Sequence, residues 1–250
     1  MIFKKDFAWG AATASYQNEG GMNADGKGLS IWDVFTHEKG RVADGTNGDV
    51  ACDQYHRIEE DIDIMKELSM NAYRFSLSWP RIMPEGNGQV NEKGLDFYDR
   101  MVDSLLERGI TPYITLFHWD LPYELYLKGG WLNPDMPEWF AEYTLAVMNR
   151  LSDRVDHWIT QNEPQCYIGS GMASGIHAPG LKMNKKDCLQ AALNSLLAHG
   201  RSIQAIRAEA RKTPVIGYAP AAWWLWSPVS DDPADIEACR KQTFCADEDQ

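Results

Sequence analysis

Apolar and polar positions along the chain fall into two alternating periods. Five short runs are apolar, aromatic or β-branched and read as strands: Phe7–Tyr16, Asn71–Trp79, Thr111–Trp119, His157–Gln161 and Thr213–Pro220. Between them apolar residues return at helical spacing. Ile58, Ile62, Met65 and Leu68 form one stripe, and Leu95, Tyr98, Val102, Leu105 and Leu106 a second. Pro137–Leu151 is a third amphipathic stretch, and Leu189, Leu193, Leu196, Leu197, Ile203 and Ile206 stripe a fourth, longer helix. Gly109 comes directly after the second helix, where a C-terminal cap is expected. Strand and helix alternate without hairpin signals, the pattern of parallel βα units. Doubly wound sheets and (β/α)8 barrels both give it. The turn after the first run reads GAATAS, with one glycine in place of a phosphate-binding G-x-G-x-x-G, so the barrel is preferred.

Strand starts near residues 8, 72, 112, 157 and 214 lie about 51 residues apart on average. Eight such units need roughly 400 residues, within the range of barrels with long loops. A chain of 250 residues holds about the first five βα units. The expected fold is therefore α/β, an incomplete (β/α)8 TIM barrel. Residues 1–250 are expected to be the N-terminal part of a single catalytic domain, its C-terminal part absent from this chain. The acidic last stretch, Asp231–Gln250, reads as solvated loop.

Composition narrows the function classes. Hydrophobic residues make up 44% and charged residues 24%, enough apolar material for a core. The net charge of −12 argues against nucleic acid or an anionic membrane as partner. No run approaches a membrane span. The start, MIFKKDFAWG, lacks the apolar core of a secretory signal. Five widely spaced cysteines without a CxxC fit reduced thiols, so a cytoplasmic location is expected. No metal-ligand spacing occurs, so neither a metal nor a cofactor is expected. Ten Trp and ten Tyr are a heavy aromatic load. Most aromatics fill cores, Trp131, Trp139 and Trp158 among them, but flat rings also pack on the apolar faces of sugars. The cluster Trp223, Trp224 and Trp226 fits either a cleft rim or packing under further strands.

Active sites of (β/α)8 barrels sit at the C-terminal ends of the strands. Gln17 and Glu19 lie after the first strand. The second carries Arg74 and ends at Trp79, Pro80 and Arg81. The third ends in His118, Trp119 and Asp120, and the fourth in Asn162, Glu163 and Pro164. Each strand is apolar until its last residues, then presents groups that hydrogen-bond or ionise. Amide and imidazole groups donate and accept, as sugar hydroxyls do. Glycoside hydrolysis needs one carboxylic acid for the departing oxygen and a second carboxylate opposite; Glu163 is placed to be the first. Taken singly, Glu163 could be a surface carboxylate, His118 a core histidine, and Arg74 an ion-pair partner. Glu19 reads as structural.

The segments FAWGAATASYQNEG, YRFSLSWPRIMPEG, NEKGLDFYDRMVDSLLERGITPYITLFHWDLP, GGWLNP, TQNEP and HAPG resemble the N-terminal half of glycoside hydrolase family 1, the β-glucosidase family. The resemblance covers nearly the whole chain and thins after about Pro220. It implies a (β/α)8 barrel and a retaining mechanism through a covalent glycosyl-enzyme. It places the general acid/base on Glu163 and glycone contacts on Gln17, His118, Trp119 and Asn162. Arg74 would lie near the nucleophile and help hold it ionised. The family nucleophile is a Glu in a TENG-type motif, which does not occur here. Gln165 stands where the family often has Trp, Asn18 where an apolar or Thr residue is usual, and Gln161 where an apolar one is usual.

The function expected is hydrolysis of terminal β-D-glucosides, the partner being a small-molecule β-glycoside or oligosaccharide. A 6-phospho-β-glucosidase is the alternative, against which Trp119 counts. A non-catalytic carbohydrate-binding subunit of a split barrel is another, with an oligomer or a complementing chain supplying the rest. The chain alone is expected to be inactive.

Overall fold

The computed structural model describes residues 3–221 and 226–244. Trp223 and Trp224 fall outside the described residues. Residues 1–220 and 221–250 form two compact units.

The first unit is built on five parallel strands: β1 (Gly10–Ala12), β2 (Ala72–Ser76), β3 (Thr111–Phe117), β4 (His157–Asn162) and β5 (Val215–Ala219). They pair in the order β1-β2-β3-β4-β5, each with its successor in sequence. Right-handed crossovers between sequential parallel neighbours are the unit of a barrel wall. The four long helices that carry the crossovers are α1 (Gln54–Glu67), α2 (Glu92–Glu107), α3 (Met136–Leu151) and α4 (Lys185–Glu209). The five strands and intervening helices are those the periodicity predicts.

Strand limits are shorter than the apolar runs. Beyond Ala12 the chain enters a helical turn, Ser15–Asn18, so Gln17 stands on that turn and not on a strand. The second run ends likewise in the turn Trp79–Ile82, where Pro80 supplies a fixed φ near the start. The core lies between sheet and helices. Trp79, Phe117, Phe140 and Tyr143 meet there, with Trp79 stacked on Tyr143 at 4.9 Å between ring centroids. Trp131 and Trp158 are buried as core residues, and Trp139 packs on the core edge.

The apolar stripe of α4 is only partly buried: Ile206 lies inside and Ile203 is half-buried, but the leucines lie outside. Leu189, Leu193, Leu196 and Leu197 are exposed, at 62, 50, 55 and 50%. The buried face is made of Ala191, Asn194, Ser195, Ala198, Ser202 and Ile206. Small side chains let α4 approach α3 closely, and the buried Thr144 and Ser202 hydroxyls meet across that seam at 3.0 Å. Leu68 and Leu106, taken with the stripes of the first two helices, are also exposed.

In the second unit the acidic stretch is not all loop. Pro233–Phe244 forms a helix, α5. The Asp232 carboxylate accepts from Ala234 N–H at its start, and the Ser230 hydroxyl donates to Asp235. Acidic residues in the first turn favour the positive end of the helix dipole, which is why a charged sequence still coils. Trp226 is 55% exposed.

Candidate active site

Side chains from β2, β4 and the end of β3 converge beyond the carboxyl ends of the strands. Arg74, on β2, donates from its guanidinium to Asn162 Oδ1 at 2.5 Å and from Nε to Thr115 Oγ1 at 3.0 Å. Arginine can only donate, so the Asn162 amide must turn its oxygen toward Arg74 and its Nδ2 away. That Nδ2 lies 3.1 Å from His118 Nε2, which therefore accepts. The His118 proton then sits on Nδ1, an atom buried without a hydrogen-bond partner. Burial, with the positive Arg74 nearby, pushes His118 down to about 4, so the ring is neutral at ordinary pH. Burial also lowers Arg74, and the nearby Glu163 carboxyl works against that fall.

Two backbone irregularities aim the end of β4 and the turn after β3. The β4–β5 register pairs Ile159 with Gly217 and Asn162 with Ala219, three residues against two, a bulge that re-aims the end of the strand. Glu163 then takes a left-handed conformation, φ 45° and ψ 63°, while its N–H still reaches Ala219 O at 2.7 Å. Pro164 opens the short helical turn Pro164–Cys166 after it. Trp119 is left-handed too, at φ 77°. Non-glycine residues are held in this region only when their surroundings over-determine them, and such strain concentrates at functional sites. For Trp119 the restraint is its indole N–H, which donates to Asn162 O at 2.8 Å. The ring thus offers its face to the site and not its N–H.

A cavity of ≈ 520 Å³ opens here, lined by Gln17, His118, Trp119, Tyr16, Trp32 and His177, among others. Its volume is that of a small-molecule site. Trp119 and His177 stack at 5.6 Å, and Trp32 lies 5.7 Å from His177. The structure thus brings together Gln17, His118 and Trp119 on one cavity wall and ties Arg74 and Asn162 to His118. Glu163 is half-buried, one residue beyond Asn162, and is not on that cavity's wall.

The other strand-end carboxylates are occupied. Glu19 is buried, accepting from Arg81 Nε at 3.0 Å and from Tyr98 OH at 2.6 Å. It is structural, as the sequence suggests. Asp120 is buried and accepts from Ser15 Oγ at 2.7 Å. Burial raises it to about 7, against the Ser15 hydrogen bond and with the charge of Glu19. Gln161 is wholly buried, bonded to Ser195 and Tyr167, so its departure from an apolar type has a structural reason. Trp32, Tyr16 and His177 were not legible as site residues. Tyr16 meets Trp32 and Thr36 on the short helix Ile31–His37, and Trp32 meets His177 of the distant HAPG segment. Among the described residues no cluster of three or more metal-ligating side chains occurs. No described helix is long and apolar enough to cross a membrane.

Five parallel strands with polar groups gathered at their carboxyl ends, an amide–imidazole–guanidinium chain and an aromatic cavity are the pattern of neighbouring βα units of an α/β barrel. The profile of glycosyl hydrolase family 1 matches residues 1–247, and the chain belongs to that family. Beta-glucosidase A of Acetivibrio thermocellus is 52% identical over 238 residues, 95% of this chain and 52% of that protein. A 1,4-beta-D-glucan glucohydrolase of Thermotoga neapolitana is 50% identical over 95% of this chain and 55% of its own length. The beta-glucosidase of Thermotoga maritima in complex with glucoimidazole superposes with a TM-score of 0.88 at 49% identity, over 95% of this chain and 53% of that one. The chain spans about half the length of the curated relatives it matches.

Proposed function

We propose that this chain forms the acid/base half of a retaining β-glycosidase acting on terminal β-D-glucosides. Glu163 is the general acid/base. Gln17, His118 and Asn162 bind glycone hydroxyls, Trp119 gives its ring face to the sugar, and Arg74 holds the opposing carboxylate ionised. That second carboxylate, the nucleophile, comes from polypeptide outside this chain. The observation that carries the reading is the fixed chain Arg74–Asn162–His118, whose central residue stands one position before Glu163. Its donors and acceptors are oriented before any sugar arrives, as differential binding of a transition state requires. Four described cysteines, Cys52, Cys166, Cys188 and Cys239, are free thiols, which supports a cytoplasmic location.

Hydrolysis proceeds in two steps in this reading. Glu163 gives its proton to the glycosidic oxygen as the nucleophile bonds the anomeric carbon and the aglycone leaves. Glu163, now ionised, takes a proton from water as the water displaces the nucleophile. The test is turnover of nitrophenyl β-glucoside and of its 6-phosphate. We expect the 250-residue chain alone to be inactive and the chain supplied with the remaining βα units to hydrolyse the unphosphorylated substrate. Robust turnover by the isolated chain overturns the missing-nucleophile reading. Turnover of the 6-phosphate alone overturns the substrate assignment, a live contrast because an aryl-phospho-beta-D-glucosidase of Bacillus subtilis is 43% identical.

A further inference from the structure

We propose that Cys166 is a positioning residue for Glu163: its thiol holds carboxyl oxygen Oε2 and leaves Oε1 to meet the glycosidic oxygen. Pro164–Cys166 is one turn of helix, closed by Cys166 N–H donating to Glu163 O at 2.8 Å. The turn brings the side chain three residues on back over Glu163, and Sγ stands 3.6 Å from Oε2. Cys166 is 4% exposed, so water does not compete freely for its S–H.

A protonated carboxyl group carries one O–H. The oxygen that accepts the thiol proton is then the carbonyl-type oxygen, and the acidic proton is left on Oε1. After that proton passes to the leaving group, the ionised carboxylate still accepts at Oε2, and Oε1 is still the free oxygen that takes a proton from water. One hydrogen bond therefore sorts the two oxygens through both steps. The arrangement needs the thiol to stay a donor. Burial, then the charge Glu163 carries when ionised and their hydrogen bond, push Cys166 up to about 11, far above ordinary pH. The other charged and titratable groups on the surrounding strands are placed differently. Arg74 on β2 acts on Glu163 through its charge, His118 just beyond β3 is engaged with Asn162, and Tyr218 on β5 turns its ring to His199 at 4.5 Å.

The inference rests on the reading of Glu163 as proton carrier, and two measurements separate the two. The first needs no hydrolysis: the infrared S–H stretching band of Cys166, isolated as the difference between the chain and its Cys166→Val variant. We expect this band to move to higher frequency in Glu163→Ala, because a hydrogen-bonded S–H is released. An unmoved band overturns the contact whatever Glu163 does. The second uses the preparation that hydrolyses aryl glucosides. Cys166→Val keeps the volume and removes the donor, and Cys166→Ser restores a donor. Val should lower kcat for basic leaving groups about threefold more than for activated ones, the scale of one weak hydrogen bond, with KM unchanged. Ser should restore most of the difference. Equal loss for both leaving groups, or no recovery with Ser, overturns the positioning role.

Discussion

Asp120 comes directly after the strained Trp119 and lies 1% exposed, with Oδ1 lacking any hydrogen-bond partner. Unfolded, its carboxyl releases a proton near 3.8; folded, burial holds that proton to about 7. Between those values the folded chain keeps a proton that the unfolded chain has lost. Its contribution to stability is thus complete below about pH 3.8 and is lost as pH rises through 7. Asp120→Asn removes the ionisation while keeping the shape. It should stabilise the chain at pH 8 by on the order of 3 kcal/mol and change little at pH 4, read as Tm at the two pH values. An equal effect at both would contradict a buried, proton-holding Asp120. His118 works in the opposite sense: lowered from 6.5 to about 4, it contributes stability above pH 6.5 that is lost as pH falls through 4. At this scale the sequence was readable where polar groups and strand ends coincide: His118 and Asn162, both expected at strand ends, are brought together. Cys166 was not readable, because its meaning depends on which way one helical turn folds back, and Trp32 was not, because its neighbour His177 is far along the chain.

Among the elements, α4 shows where periodicity misleads. Its leucines recur at helical spacing, and a large apolar residue normally marks the buried face. Here the buried side is small or polar because each such residue has a partner: Ser202 meets Thr144 of α3, Ser195 bonds Gln161 on β4, and Asn194 donates to Trp131 O, while the leucines are left outside. Neither the period nor the residue sizes distinguish the two faces without knowledge of the neighbour. The consequence is an exposed apolar stripe that invites self-association. Leu193→Glu with Leu196→Glu should leave Tm nearly unchanged, within about 1 kcal/mol of stability, and reduce association measured by light scattering. A large loss of Tm without change in scattering would mean that the stripe is already covered. The strands were more legible: β-branched and aromatic runs placed all five. Their ends were overestimated where aromatic residues continue into helical turns, as at Trp79.

For the molecule as a whole, sequential parallel pairing gives five neighbouring strands of a barrel wall, with side chains from β2, β3 and β4 meeting near their carboxyl ends. Length against unit spacing anticipated about five βα units, and five parallel strands are present; the chain spans about half the length of the relatives it matches. The central claim is that the carboxyl group after the bulge of β4 delivers the proton to the departing oxygen. Its most direct test compares Glu163→Gln with the unaltered sequence, in the assembly that turns over glucosides, across leaving groups of increasing basicity. General acid catalysis is needed most where the leaving group is most basic. The account predicts a loss of kcat/KM of about 100-fold or more for alkyl or sugar aglycones, and a far smaller loss for dinitrophenyl β-glucoside. The same loss across the whole series would contradict it.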